Sequence, residues 1–141
     1  MRYSTKLSDS IHILSYIYLF STNDLSSKAI SESIQTNPAS VRRLMTKLRE
    51  ADLLKTTPGM ANPKLNRSPE KITLYDIYEA VEGGTKLFHV NPHTNMNCPA
   101  GANIQKVLES KYENIQLAAE KQLAKETLAD VISELRELGN F

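Results

Sequence analysis

Apolar residues recur every three or four positions along most of this chain, and polar, proline and glycine residues interrupt them. The spacing predicts a first helix over Lys6 to Phe20 and a second over Leu25 to Ile34, capped by Ser26 or Ser27. A third helix begins at Asn37-Pro38. Because the second and third helices are short and separated by few residues, they are typical of a helix-turn-helix.

The third helix has a clear start and two distinct sides. Asn37 is a favoured N-cap, and Pro38 suits the first helical position. The side toward the core holds Val41, Leu44, Met45 and Leu48, and the opposite side holds Ser40, Arg42, Arg43, Lys47 and Arg49. Arginines near the start of an exposed helix can form bidentate hydrogen bonds with phosphates or guanine edges, so this pattern indicates a DNA-reading helix. The alternative is a solvated basic face with no ligand.

After Leu53-Leu54 the pattern changes to two short β-tolerant pieces around the turn-rich stretch Pro58 to Pro63. This order predicts a β-hairpin of the kind called a wing. Its basic and amide residues, which are suited to a phosphate backbone or a minor groove, are Lys55, Asn62, Lys64, Asn66 and Arg67. A polar surface turn is the alternative, and a hairpin directly after a basic helix favours the wing.

A fourth helix is expected after the hairpin, with Thr73 and Asp76 as its capping box and Gly83 at its end. Its buried stripe consists of Leu74, Ile77, Tyr78 and Val81. Thr85 to Pro99 follows as an irregular loop.

From Ala100 onward an apolar stripe extends over some six helical turns, which predicts a long helix. We expect it to pair with a second copy through Ile104, Leu108, Ile115, Ala119 and Leu123. A break near Glu126 precedes a last helix that starts at Thr127, with Asp130 in its capping box, and ends at Gly139. The alternative for the whole tail is a monomeric helical hairpin folded back on the first domain.

These elements predict a mostly α fold with a small β-hairpin: a winged helix-turn-helix domain plus a long C-terminal dimerisation helix. The division is a DNA-binding domain over residues 1–83, a loop over 84–99 and a helical dimerisation region over 100–141. The chain has 141 residues, of which 40% are hydrophobic and 6% aromatic, without Trp, which suits a core of Leu, Ile and Ala.

Charge is divided unequally between the two halves of the chain. Residues 1–71 carry 11 Lys and Arg against 6 Asp and Glu, and residues 72–141 carry 6 against 10, so a net charge of +1 conceals +5 and −4. The basic half contains the candidate reading helix, which favours a polyanion as partner. This balance argues against a winged helix that binds only proteins.

The sequence lacks the features of membrane proteins, secreted proteins and enzymes. No stretch of about eighteen apolar residues is present, so we expect no membrane span. Polar residues interrupt the apolar part of the first helix, which argues against a signal peptide, and a lone cysteine fits a cytoplasmic protein. A glycine-rich phosphate loop, a nucleophile-elbow string and paired carboxylates are missing, so we do not expect an enzyme.

Three strings carry a resemblance to a known family: Ser40 to Leu54, Ile72 to Ile77 with Glu82-Gly83, and Cys98-Pro99-Ala100-Gly101. Over nearly its whole length the chain resembles the Rrf-two (Rrf2) family of bacterial winged-helix repressors, which includes regulators of iron-sulfur cluster assembly, cysteine metabolism and nitric-oxide response. The resemblance implies a homodimer crossed at the long helix, with recognition helix and wing on DNA. Cluster-binding members hold three cysteines before the long helix, whereas this chain has one. We therefore predict no iron-sulfur cofactor.

Two further roles for the loop residues remain open. His89, His93 and Cys98 could form a mixed metal site with a partner subunit, but their spacing matches no strong pattern, and solvated side chains are the favoured interpretation. Cys98 lies just before the long helix, whose amides favour a thiolate, so it is a candidate redox thiol. An unreactive, half-buried cysteine is slightly favoured, because no Lys or Arg lies close to it in sequence.

The sequence thus predicts a homodimeric, sequence-specific DNA-binding regulator, in particular a repressor, whose partners are double-stranded DNA, a second copy and an unknown effector or oxidant. The alternatives are a thiol-based sensor acting through Cys98 and a protein-binding winged helix without a DNA target. The candidate DNA contacts are Ser40, Arg42, Arg43, Lys47, Lys28, Lys64, Asn66 and Arg67, with Arg2 and Tyr3 as further backbone contacts.

Overall fold

Six α-helices and one short hairpin make up most of the described part of the computed structural model, residues 3–60 and 62–141. In chain order they are α1 (Lys6–Leu19), α2 (Ser27–Ile34), α3 (Pro38–Glu50), β1 (Leu54–Lys55), β2 (Lys64–Leu65), α4 (Leu74–Glu82), α5 (Pro99–Lys125) and α6 (Leu128–Gly139), with a 3-10 turn at Pro69–Lys71. The strands are antiparallel. The predicted mostly α fold with a small hairpin and a long helix is confirmed.

The helices begin where their capping residues predict. Asn37 Oδ1 accepts a hydrogen bond from the Ser40 amide at 2.8 Å. Of the two serines proposed as the cap of α2, Ser26 is the one whose hydroxyl accepts from the helix. Thr73 and Thr127 each form a reciprocal capping box with the residue three positions later, as predicted. These caps satisfy amides that a helix start would otherwise leave without partners.

One hydrophobic core joins α1, α2, α3 and α4 beneath the hairpin. Fully buried apolar side chains supply it from every one of these helices, including Ile13, Leu14, Ile30, Val41, Leu48 and Ile77. The apolar stripe of α3 is buried as predicted, and this burial leaves its polar side outward. The core therefore fixes which face of α3 meets solvent.

The last helix also packs in this core, although the sequence placed it in the dimerisation region 100–141. Leu128 and Ile132 of α6 belong to the buried cluster that includes Ile13 of α1. Backbone bonds attach its start to α4: the Leu128 amide donates to the Ile72 carbonyl at 2.8 Å. In the structure, α6 is therefore folded back on the first domain, as the alternative for the tail proposed for this part. Helical spacing shows where a stripe lies but not which surface it packs on.

Among the described residues, the long helix α5 packs along one side against α4 and the loop that follows it. The loop after α4 packs against that side, where the buried Gln116 accepts from the Leu87 amide at 2.9 Å and donates to the Tyr78 hydroxyl at 2.9 Å. Another side presents large exposed apolar residues, Ile104, Val107 and Ile115. In the predicted dimer set, Leu108, Ala119 and Leu123 are only partly buried. Among the described helices, none is both long and apolar enough to cross a membrane.

Candidate nucleic-acid interface

The exposed face of α3 carries its positive charge. Four buried residues on its inner side leave Arg42, Arg43, Lys47 and Arg49 exposed. Since the helix starts at a well-formed cap, its first turns are held in place for contacts with a ligand. The structure thus brings the predicted α3 residues together on one outer surface.

The cations of α3 point along two flanks of the helix. On one flank, Arg43 Nη2 donates to Ser40 Oγ at 3.0 Å, so these two predicted contacts form one unit. On the other flank, Arg42 and Arg49 line a cleft of about 380 Å³ between α3 and the hairpin loop. Polar side chains that the sequence did not single out for binding DNA also line this cleft: Ser26, Ser27, Thr46, Thr56 and Thr57.

The hairpin places two lysines directly opposite each other. Lys55 of β1 pairs with Lys64 of β2, and both are exposed. Like charges facing each other across two strands are destabilising unless an anion lies near them. Gly59 in the loop between them has a positive φ of 78°, which glycine adopts without strain. The loop residue Ala61 lies outside the described residues.

Two predicted wing residues already have partners within the protein. Asn66 Nδ2 donates to the Asp52 carbonyl at 3.2 Å. Arg67 Nη1 donates to the Lys71 carbonyl at 3.2 Å and lies 3.3 Å from Asp76 Oδ2, in a pair that is about one-third exposed. The Arg67 contacts connect the end of the hairpin to the start of α4, and the Asn66 bond connects it to the turn after α3. The sequence did not predict these roles. The same Asp76 carboxylate accepts a bond from the Thr73 amide in the capping box of α4.

Lys28 and Tyr3 are exposed, and Arg2 lies outside the described residues. Lys28 belongs to the first turn of α2, next to the serines that line the cleft. Its position is therefore compatible with the predicted backbone contact.

The cations of this surface are not neutralised internally. Among the described residues, Arg67 and Asp76 form the one ion pair of the structure. Six exposed cations therefore lack a carboxylate partner there: Arg42, Arg43, Lys47, Arg49, Lys55 and Lys64. A concentration of unpaired positive charge on one helix and the adjoining hairpin attracts polyanions.

The thiol of Cys98 is exposed, so the favoured interpretation of a half-buried cysteine is wrong. The backbone amides of Gly101 and Ala100, at the start of α5, lower the pKa of Cys98 below its usual value. Within the described residues, no group of three or more His, Cys, Asp or Glu side chains is placed to hold a metal ion. The structure therefore does not bring Cys98, His89 and His93 together as one group within a subunit.

Comparisons with known proteins agree with this architecture. The family described as "Rrf2: Iron-dependent Transcriptional regulator" matches residues 3–134. The chain is 37% identical over 132 residues to "Putative HTH-type transcriptional regulator YwnA" of Bacillus subtilis (strain 168), covering 94% of this chain and 98% of that protein.

Solved structures give the same result and confirm the winged helix. T. potens IscR is 25% identical, with a TM-score of 0.70 over 98% of this chain and 90% of its own. The global cysteine regulator CymR of B. subtilis has the same fold, at 22% identity and a TM-score of 0.67, over 94% of this chain and 97% of its own. Because the family match spans nearly the whole sequence, this chain belongs to the Rrf2 family of transcriptional regulators and is not an enzyme.

Proposed function

We propose that this protein is a homodimeric, sequence-specific DNA-binding repressor that works without an iron-sulfur cluster. The observation that carries the proposal is the set of six exposed cations on α3 and the hairpin that have no carboxylate partner among the described residues. In this proposal α3 enters a major groove and the hairpin lies on the flanking backbone. Phosphates then replace the missing anionic partners, and counterions are released from the DNA.

The individual contacts differ in what they recognise. Arg43 and Ser40, joined by their hydrogen bond, are placed near the start of α3, where side chains of a recognition helix reach base edges. Arg42 and Lys47 serve as base or phosphate contacts on the same helix. Lys64 contacts phosphate from the wing and Lys28 from α2, while Asn66 and Arg67 chiefly hold the hairpin in position.

The second half of the proposal is a two-fold dimer through α5. Its large exposed apolar residues Ile104, Val107 and Ile115 form a stripe, which is unusual on a surface that faces only water. Ala118 and Ala119 lie along the same side and allow a second helix to approach closely. A second copy of α5 fits this stripe, since a two-fold interface uses the same patch on both subunits. Two reading heads would then bind a palindromic site.

Iron dependence, which the family description names, does not fit the ligands of this chain. Cys98 is its single cysteine, and the described residues of one subunit place no group of three metal ligands together. Clusters are normally held by four thiolates or by thiolates with imidazoles. We therefore propose that regulation uses another signal.

The first test is a fluorescence anisotropy titration of the full chain on a random-sequence duplex at two salt concentrations. We expect binding that weakens as salt rises, because phosphate neutralisation releases counterions. As a control for lost charge outside the interface, Lys106→Ala removes an exposed lysine from α5. This variant should bind the duplex as the wild type does. Absence of salt-dependent binding would contradict the DNA proposal and favour a protein-binding winged helix. Selection from a random duplex library then identifies the operator and its half-sites.

A second candidate function, thiol-based sensing, is supported by the exposed Cys98 and its lowered pKa. The fraction of thiolate in such a group rises at lower pH than in free cysteine. We expect the rate of alkylation by iodoacetamide to reach half its maximum at a pH below that of free cysteine. A profile that coincides with free cysteine would remove this candidate and leave the DNA proposal intact.

A further inference from the structure

The cleft between α3 and the hairpin loop is lined by two arginines of α3. Arg42 and Arg49 are seven positions apart, so they lie two turns apart on the same side of the helix. Both are exposed, and neither has a carboxylate partner among the described residues. Arg43 lies about 100° away around the helix axis and donates to Ser40 instead. The cleft and the Arg43 flank are therefore two separate surfaces of one helix.

The rest of the cleft offers hydroxyl groups and no competing carboxylate. Its lining includes Ser27, at the start of α2, and Thr56 and Thr57 of the hairpin loop. None of the described lining residues is Asp or Glu. Asp24 accepts a bond from the Ser26 amide at 2.9 Å but does not line the cleft. Guanidinium groups, hydroxyl groups and helix N-termini are the groups that bind phosphate oxygens.

The outer wall of the cleft is a turn whose shape is set by two residues. The Met60 amide donates to the Thr57 carbonyl at 3.1 Å, across Pro58 and Gly59. Proline at the second position of a turn and glycine with a φ of 78° at the third are typical of type II. Since the ring of Pro58 restricts its φ and glycine adopts a positive φ without strain, little conformational entropy is lost when a partner enters the cleft.

The position of the cleft indicates what enters it. In the proposed complex, α3 lies in a major groove and the hairpin lies on the flanking backbone. That backbone strand borders the major groove, so it must run between α3 and the hairpin loop, where the cleft is.

We propose that the cleft holds the phosphodiester backbone of one DNA strand. Arg42 and Arg49 contact its phosphates, and the Thr57 hydroxyl donates a hydrogen bond to one of them. This flank supplies affinity that does not depend on base sequence, while Arg43 on the other flank reads bases. The inference rests on the proposed function, because it specifies how DNA lies on that surface and which side chains give sequence-independent binding.

Anisotropy titrations of full-length Arg49→Gln on the selected operator and on a random-sequence duplex test the contact. Both affinities should fall by the same factor, about tenfold at roughly 0.1 M salt, and the salt slope should decrease by about 0.9. Thr57→Val removes only a hydroxyl, so it should weaken both complexes equally and leave the salt slope unchanged. Lys106→Gln, which removes an exposed charge from α5, is the control and should change neither affinity nor slope. Circular dichroism checks that each variant folds.

A neutral methylphosphonate in place of single operator phosphates locates the contact. Wild type should lose affinity at the phosphate that lies in the cleft, and Lys106→Gln should lose as much. Arg49→Gln should lose no further affinity on that duplex, because the partner of the missing guanidinium is already neutral; this non-additivity identifies the pair.

Two results would overturn the proposal and leave DNA binding itself intact. One is that Arg49→Gln weakens only the operator complex, which would make Arg49 a base contact. The other is that every methylphosphonate weakens Arg49→Gln as much as wild type, which would place the backbone outside the cleft. If wild type shows no salt-dependent binding to either duplex, the proposed function fails and this inference fails with it.

Discussion

Helices α3 and α5 each leave one distinctive face uncovered, but the two faces differ in chemistry. The outer face of α3 is basic, whereas the free face of α5 is apolar. Water solvates exposed cations well, so the basic face of α3 is stable in water without a partner, and it gains binding free energy only when a polyanion arrives. Water does not solvate exposed apolar area favourably, so burying the apolar face of α5 lowers the free energy under all conditions. The comparison teaches that one face suits a transient partner and the other a permanent one.

The largest expected effect comes from placing a charge on the apolar face of α5. Ile115→Asp should destabilise the proposed dimer by about 3 to 5 kcal/mol, because an unpaired carboxylate would be buried between two helices. Size-exclusion chromatography with light scattering measures the change. Leu117→Asp, two residues away and also exposed, should leave the dimer intact because it lies on another side of α5. Equal effects of both variants would contradict an interface on this stripe.

The next effect concerns the basic face of α3. Arg43→Ala should weaken binding to the selected operator by about 1 to 3 kcal/mol if the guanidinium reads a base. Anisotropy titrations on operator and random duplex measure this difference. The same loss on both duplexes would instead make Arg43 a phosphate contact.

A smaller effect separates the two capping boxes. Asp76→Ala removes the bond that its carboxylate accepts from the Thr73 amide and the ion pair with Arg67, whereas Asp130→Ala removes only the matching bond from the Thr127 amide. The threonine caps themselves remain, so each lost bond costs less than the roughly 0.5 to 2 kcal/mol of a whole N-cap. The exposed pair adds less than about 1 kcal/mol, so we expect Asp76→Ala to be slightly more destabilising in urea unfolding. The opposite order would mean that the Arg67 contact does not stabilise the hairpin.

The smallest effect is expected at the hairpin. Lys64→Gln should reduce the slope of log binding constant against log salt by about 0.9, the contribution of one phosphate contact. It should also stabilise the free protein by a few tenths of a kcal/mol, since it relieves repulsion between Lys55 and Lys64. An unchanged salt slope would exclude Lys64 from the interface.

Local features were predictable from the sequence because they depend on nearby residues. Asn37, Thr73 and Thr127 mark their helix starts through bonds that span three positions. The basic side of α3 followed from helical spacing alone. In each case the physical cause lies within one helical turn.

Features that depend on distant contacts were not predictable in this way. Leu128 and Ile13 lie in one core although they come from opposite ends of the chain, and no spacing rule encodes such a partnership. The pair between Arg67 and Asp76 forms because the 3-10 turn brings the hairpin back to α4.

The backbone bonds between the starts of α4 and α6 affect the distance between the two recognition helices of the proposed dimer. The Leu74 amide donates to the Glu126 carbonyl at 2.9 Å, directly where α5 ends. These bonds hold the end of the long helix against the DNA-binding domain and restrict rotation of one relative to the other. In a dimer built on α5, the distance between the two recognition helices would therefore be fixed. We expect selected operators to show one half-site spacing, with sharp loss of binding when a base pair is inserted.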